Sequence, residues 1–411
     1  MKITLVTVGT RGDVQPMVAL GRVLRERGHA VKVAAPPDFG AWVTSEGLAF
    51  APVGADIRQY LRDNPGALSA RPMAAFRAGR HFFNTQLEPQ VRDALAACEG
   101  ADAIAWSGLA IGATIAAEKL KLPVLGIFYS TCVLPSGQHP PVSVPRYGGP
   151  RWLNRLLWAL NGLATQIVIG KPFNAIRARA GLPPIKFSAL VPDGDYVVAA
   201  DPVLFPHDPA WGPNIRKANF IYYDDERPMD AGLNVWINEG EPPVYVGFGS
   251  MSGDGTARME KIVHDALTAT GRRCLIGAGW ADWAGLGTRG LPAHWRVTAD
   301  VPHEELFPRM AAVVHHGGSG TTANALRAGV PQVIVPLILD QHHHAHQLWK
   351  AGLVPRTQAM EQITAVELAR AIGAAMALPQ APRDIAAQRL RHSDGVGDVA
   401  RALEALAASR V

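Results

Sequence analysis

Short apolar runs alternate with longer stretches of helical period along most of this chain. Residues 3–8 form the first run, and residues 30–35 the next. Between them, Met17, Leu20 and Leu24 recur at helical spacing in a stretch running from about Pro16 to Arg27 and closed by Gly28. Positions three and four apart share one helix face, so this stretch predicts an amphipathic helix between two buried strands. Strand, helix and strand in that succession make a βαβ unit, which requires a parallel sheet. Further runs at 103–106, 124–128 and 196–199 complete a first domain over residues 1–208. The pattern restarts at 244–250 and continues at 273–276, 295–298, 312–314 and 332–335, a second domain over 244–378. The polar, proline-rich span 209–243 reads as the linker. The expected fold class is α/β, two Rossmann-like halves facing each other across a cleft.

Composition narrows the function without naming it. At 411 residues, 48% apolar, the chain can build two full cores. Forty basic against thirty-five acidic residues leave a net charge of +5 with no basic run. That favours an anionic small ligand over nucleic acid, for which clustered cations are expected. Cys98, Cys132 and Cys274 are too few and too far apart for a disulfide framework or a metal cluster, so a reducing, cytoplasmic setting is expected. The opening segment reads as a strand, not a signal peptide. The least polar long stretch, 103–117, falls short of the ~20 residues that span a bilayer and is interrupted by Ser107, Gly108 and Gly112.

The densest chemistry lies in residues 313–341. An apolar run ending at Val314 leads into His315-His316-Gly317-Gly318-Ser319-Gly320, and Thr321 then opens a helix that stops at Gly329, with Pro331 behind it. Glycines let the backbone approach a ligand, and the first N–H groups of a helix have no partner inside it, so the segment predicts an anion cradle with His316, Ser319 and Thr321 as added donors. The following strand, 332–337, carries Asp340 and Gln341 to the carboxyl edge of the sheet, where ligands of open α/β sheets bind. A Gly-rich turn alone is ordinary in such domains. A phosphate cradle with a carboxylate and an amide one strand away points to a nucleotide sugar.

This segment resembles the donor-binding signature of the family 1 glycosyltransferases of GT-B fold, most closely the bacterial glycopeptide-antibiotic and sterol glucosyltransferases, and the resemblance spans nearly the whole chain. By order, it places His316 on the diphosphate, Gly318, Ser319, Gly320 and Thr321 in the phosphate cradle, and Asp340 with Gln341 on the donor sugar hydroxyls. It also implies that residues 379–411 pack back toward the first domain, and that neither a metal nor a bound cofactor is needed, the nucleotide sugar being a co-substrate and UDP a product. Two positions depart from plant members: Asn324 stands where they carry a ribose-binding Glu, and Asp300 where they stack a Trp on uracil.

The loop at 9–16 follows the first strand and so faces the same sheet edge. It is neither GxGxxG nor a P-loop, which disfavours a dinucleotide or nucleoside triphosphate there. It offers Asp13, which on spacing alone reads as a helix cap. The resemblance makes Asp13 the general base that deprotonates an acceptor hydroxyl. Ser250, in Gly247-Phe248-Gly249-Ser250, matches a diphosphate contact, and the backbone of Val301 would read the pyrimidine edge. Trp280 and Trp283 either stack on the base or belong to the core. Of His342, His343, His344 and His346, only His342 and His346 share the i, i+4 face, which argues against a zinc site.

On the acceptor side, Met73, Phe76, His81, Phe82 and Phe83 form an aromatic-rich segment, and 133–150 is a proline-rich loop of the kind that shapes binding sites. Thr10, Arg11, Phe76, Phe82, Tyr129 and His139 are the acceptor candidates. Trp152, Leu153, Leu156, Leu157, Leu160 and Leu163, flanked by Arg151 and Arg155, give a broad apolar helix face. Core packing is the leading expectation for it, with an acceptor wall or weak peripheral membrane contact as alternatives. The expected reaction is inverting transfer of a hexose, with UDP-glucose as donor, to a hydroxyl of a sterol, polyphenol or macrocycle. The alternative is a dTDP-deoxysugar, rhamnosyl-type transferase.

Overall fold

The computed structural model describes residues 1–68, 72–187, 191–249, 256–279, 291–299 and 301–409. They form two compact units, Met1–Tyr223 with Asp394–Val411, and Asp224–Ser393.

In the first unit, β1 (Lys2–Val8), β2 (Ala30–Ala35), β3 (Ala49–Pro52), β4 (Ala103–Gly108), β5 (Val124–Phe128), β6 (Asp195–Ala199) and β7 (Ile215–Ala218) make one sheet, ordered β3-β2-β1-β4-β5-β6-β7. Every pairing in it is parallel. Ile3 through Val8 are buried, as a parallel strand covered on both faces requires. The sheet is accompanied by α1 (Arg11–Glu26), α2 (Gly40–Ser45), α3 (Ile57–Asp63), α4 (Pro72–Cys98), α5 (Gly112–Leu120), α6 (Arg151–Thr165) and α7 (Lys171–Arg179).

Met17, Leu20 and Leu24 supply the buried face of α1. The helix starts at Arg11, five residues before the expected Pro16, which lies inside it. Thr10 and Asp13 form a capping box that nucleates the helix early, and Pro16 forfeits only the N–H bond back to residue 12.

The second unit repeats the scheme with β8 (Val244–Gly247), β9 (Cys274–Gly277), β10 (Trp295–Thr298), β11 (Ala312–His315) and β12 (Gln332–Ile334), ordered β10-β9-β8-β11-β12 and again all parallel. Its helices are α8 (Ala231–Asn238), α9 (Thr256–Thr270), α10 (His303–Leu306), α11 (Ser319–Ala328), α12 (Gln341–Lys350), α13 (Ala365–Ala377) and α14 (Gln380–Arg391). Strand period two sorts the core into two layers. Val244, Val246, Ile276 and Val314 meet Leu368 and Ile372 of α13, while Tyr245, Leu275 and Val313 meet Leu306, Phe307 and Ala325.

The span 209–243 is built into both units: β7 closes the edge of the first sheet, and α8 belongs to the second. Residues 379–411 divide as well. Helix α14 packs on α11, with Arg391 Nε donating to the Arg327 carbonyl at 3.0 Å. Only the last described helix, α15 (Gly395–Ala408), joins the first unit, where it lies on α1 and β4 to β7. Glu404 there accepts from Arg27 at 2.8 and 2.9 Å and meets His29 at 2.8 Å. Among the described residues no helix is long and apolar enough to cross a membrane.

Candidate functional site

Strand order reverses between β1 and β4 in the first sheet and between β8 and β11 in the second. At such a switch point the two following loops diverge and leave a crevice at the carboxyl ends of the strands. Asp13, with Thr10 and Arg11, follows β1 at the first of these places, and His316, with Ser319, Gly320 and Thr321, follows β11 at the second.

In the first unit, Thr10 N–H donates to Asp13 Oδ2 at 2.8 Å, closing the capping box. The carboxylate therefore caps the helix, and this leaves a catalytic role compatible with it. Gly9 follows β1 at φ +152°, where a Cβ would overlap Asp13 Oδ2. From β4, Gly108 sits at φ +61°, and its Cβ would overlap the Val8 carbonyl and stand 2.9 Å from Asp13 Oδ1. Both loops thus meet the carboxylate where only glycine fits. Below it, the Asp13 carbonyl accepts from Thr7 Oγ1 at 3.2 Å, Thr7 accepts from Ser107 Oγ at 2.9 Å, and the Tyr129 hydroxyl lies 3.5 Å from the same carbonyl. Burial pushes the Tyr129 phenol up, so it stays protonated. Thr7, Gly9, Ser107 and Gly108 were not singled out in the sequence as partners of Asp13; the Ser-Gly pair closing β4 was the available signal.

Of the acceptor candidates, Thr10, Arg11 and Tyr129 surround Asp13. Arg11 donates to Gln15 Oε1 at 3.1 Å and lies over the Trp42 ring at 5.3 Å. Phe76 is half-buried, and Phe82 is buried in α4, edge to face with Tyr60 and Phe83. His139 is buried beneath α6, with its carbonyl accepting from Trp158 Nε1 at 3.1 Å.

The α6 face is a correction. Trp152, Leu156, Leu160 and Leu163 are exposed, Leu153 and Leu157 half-buried, and the buried positions are Asn154, Trp158, Gly162 and Thr165. The inward face instead bonds to the proline-rich loop, Asn154 Nδ2 donating to the Gly137 carbonyl at 3.0 Å and Trp158 Nε1 to the His139 carbonyl, and it buries the Trp158 ring.

In the second unit, Gly318 caps α11 and Thr322 N–H makes the first helical bond, to the Gly318 carbonyl at 2.9 Å. The helix begins at Ser319, so Ser319, Gly320 and Thr321 form its first turn, where N–H groups precede the helical ladder and the dipole is positive. It ends at Gly329, left-handed at φ +72°, as the sequence predicts. The His316 ring is held between loops: a Cβ on Gly318 would stand 2.5 Å from its Nε2, and one on Gly249, after β8, 3.2 Å from its Cε1. Burial, reinforced by His344 and His303, lowers its pKa to about 4, so His316 is neutral near pH 7. Its Nδ1 is buried with no hydrogen-bond partner among the described residues. His315, fully buried, accepts from Gly317 N–H at 3.1 Å through Nδ1, which leaves Nε2 to donate to Gln332 Oε1 at 3.1 Å. Burial lowers its pKa to about 3.

The Asp340–Gln341 loop is fastened to this cradle. His344 Nδ1 donates to the Gly317 carbonyl at 2.7 Å, and a Cβ on Gly317 would stand 2.7 Å from Ile334 Cγ2. Gln341 Oε1 accepts from Leu337 N–H at 2.9 Å and Ile338 N–H at 3.1 Å. Its carbonyl end shapes the loop, and the amide nitrogen is its donor end. Leu339 takes φ +53°, a costly conformation for a branched residue, just before Asp340. Strand β12 ends at Ile334, short of the expected 337, because Pro336 cannot extend the ladder.

The neighbouring histidines serve separate contacts: His342 Nε2 donates to the Leu337 carbonyl at 3.2 Å, and His346 lies against Trp349. Val301 is buried beside a hollow of about 560 Å³ between α8 and the end of β10. Ser250, Trp280, Trp283 and Asp300 lie outside the described residues.

Two family models match the chain, the glycosyltransferase family 28 N-terminal domain over residues 3–133 and the erythromycin biosynthesis protein CIII-like C-terminal domain over residues 281–398. Vancomycin aglycone glucosyltransferase of Amycolatopsis orientalis is 35% identical across 86% of this chain and 85% of its own. Sterol 3-beta-glucosyltransferase UGT80A2 of Arabidopsis thaliana is 31% identical across 98% of this chain and 65% of its own. Among solved structures, the glycosyltransferase VinC in complex with DTDP superposes with a TM-score of 0.72 over the full length of both chains at 20% identity, a likeness of fold.

Proposed function

The chain belongs to the GT-B glycosyltransferases that include the vancomycin-type and sterol glucosyltransferases, and on that basis we propose that it moves a hexose from UDP-glucose to a hydroxyl of a lipophilic acceptor such as a sterol, polyphenol or macrocyclic natural product. The observation that carries this reading is the second-unit loop cluster. One turn of backbone donors opens α11, the buried Nδ1 of a neutral His316 stands beside it, and the Asp340–Gln341 loop is tied to the same backbone through His344.

In this reading the donor diphosphate occupies the α11 N-terminus, where backbone N–H groups and the helix dipole stabilise charge. Asp340 accepts from the sugar hydroxyls and the Gln341 amide nitrogen donates to them. The acceptor oxygen attacks the anomeric carbon, its proton passes to Asp13, and the bond to the diphosphate oxygen breaks with inversion. An α-linked donor therefore yields a β-glycoside. A carboxylate of pKa ~3.9 is ordinarily a weak base toward an alcohol. The proton moves late, however, once bonding to carbon has made the hydroxyl acidic. UDP leaves, its developing charge met by groups already oriented for it.

Mass spectrometry of reactions pairing UDP- and dTDP-sugars with sterol, flavonoid and macrolide acceptors tests the proposal. The expected product gains one hexose from UDP-glucose, and Asp13→Asn abolishes the gain. Transfer confined to dTDP-deoxysugars would replace the donor assignment, and no transfer from any donor would overturn the reading.

A further inference from the structure

Helix α6 carries its largest apolar side chains on the outside. Trp152, Leu156, Leu160, Leu163 and, in the turn that follows, Ile167 are between 46% and 67% exposed. Their spacing of four, four, three and four residues keeps them on one helix face, a stripe about 22 Å long at 1.5 Å per residue. A contiguous exposed stripe of this kind marks an interaction surface, whereas single exposed apolar residues are ordinary.

Charge identifies the partner. No Asp or Glu occurs between Glu118 and Asp193. Two cations of that span away from the stripe are matched, Arg177 to Glu118 at 2.5 Å and Arg179 to Glu88 at 3.0 Å. Those next to the stripe, Arg146, Arg151, Arg155 and Lys171, are exposed and meet no carboxylate within ion-pair distance among the described residues.

We propose that this face of α6 docks the protein reversibly on an anionic lipid surface, with the Trp152–Ile167 stripe entering the headgroup boundary and the flanking cations meeting lipid phosphates. An interfacial helix has this composition, Trp and Leu on one side with Arg and Lys at the rim and no acidic residue between them. A second copy fits worse, because a two-fold interface would oppose the two sets of cations with no acidic residue of that span to meet them. A small-molecule acceptor also fits worse, since a ligand site encloses its ligand and these side chains stand on an exposed ridge. The proposal does not rest on the transfer reaction.

Sedimentation of the full chain with sucrose-loaded vesicles tests it, comparing phosphatidylcholine alone with phosphatidylcholine containing one-third phosphatidylglycerol. The protein is expected to bind the mixed vesicles, to bind neutral ones far less, and to be released by high salt. Arg151→Ala with Arg155→Ala should lower partitioning roughly thirtyfold, about fivefold per cation. Leu160→Glu with Leu163→Glu should abolish sedimentation, while thermal unfolding of both variants stays unchanged because all four positions are exposed. Equal binding to neutral vesicles, or none to either, overturns the proposal. So does a dimer in the absence of lipid that Leu160→Glu with Leu163→Glu dissociates, which would assign the stripe to a second copy.

Discussion

Gly108 stands so close to Asp13 that a single added methyl would lie 2.9 Å from the carboxylate Oδ1 and overlap the Val8 carbonyl behind it. Gly108 ends β4 and Asp13 lies in the first turn of α1, which follows β1, so the two meet at the switch point of the first sheet and the position of the carboxylate depends on a residue ninety-five places away in the sequence. Gly9 closes the other side.

Gly108→Ala should therefore damage turnover more than a surface change would. The left-handed φ of +61° alone costs about 1–2 kcal/mol for a side chain, and the methyl also pushes the carboxylate aside. Steady-state kinetics should show kcat reduced about tenfold or more, with affinity for the donor nucleotide, which the proposed reading assigns to the second unit, unaltered in a calorimetric titration.

Asp13→Asn keeps an oxygen to accept the Thr10 N–H and so should fold. If the carboxylate is the base, kcat falls by ~10² to 10⁴ while nucleotide binding persists. A variant with near-normal turnover would reduce Asp13 to its capping role.

Two substitutions at Gln341 separate loop support from the proposed sugar contact. Gln341→Glu retains an oxygen for the Leu337 and Ile338 N–H groups but loses the amide donor, so donor KM should rise with little change in melting temperature. Gln341→Leu strands both N–H groups as well and should cost a further ~1–3 kcal/mol of stability, read by denaturant unfolding.

Acid should weaken the second unit through His315. Its folded pKa, about 3, lies below the ordinary 6.5, so between these values the unfolded chain binds a proton that the folded chain refuses. Stability is full above about 6.5 and is lost as pH falls toward about 3, at up to ~1.4 kcal/mol per pH unit from this residue. His316, lowered to about 4, acts in the same direction. Urea unfolding followed against pH should show the slope, and His315→Leu should flatten it while lowering stability near pH 7 by stranding Gly317 N–H and Gln332.

The parts of the fold that could be read from the chain are those set by short-range rules. The buried β1 and β11 runs, the Met17, Leu20 and Leu24 face and the Gly329 stop follow from period, propensity and capping. The placement of Asp340 and Gln341 beside the glycine loop was legible because they follow it by one strand. Edge strands β3 and β7 escaped because an edge needs little apolar content. The start of α1 was hidden by Pro16, although Thr10 and Asp13 spell its capping box. The hydroxyls of Thr7, Ser107 and Tyr129 come together only through the β1-β4-β5 pairing, which no local pattern displays. Most instructive is α6, where Asn154 and Trp158 bond to the proline-rich loop on the inward face while the leucines lie outward, an arrangement that apolar spacing does not display.

The first unit is interrupted in sequence, since α15 completes it from residues 394–411, with Gly395 against the carbonyls of Asn219 and Phe220 and Glu404 paired to Arg27 across 377 positions. On the ribosome, domains generally form in order of synthesis. In this chain that order should be reversed, because the first-made unit includes residues that follow the second. Residues 224–393 hold the described elements of the second unit and should fold once they emerge, while the first-made unit should wait for α15 to cover α1 and β4 to β7. During that interval its apolar surface is what a chaperone would meet.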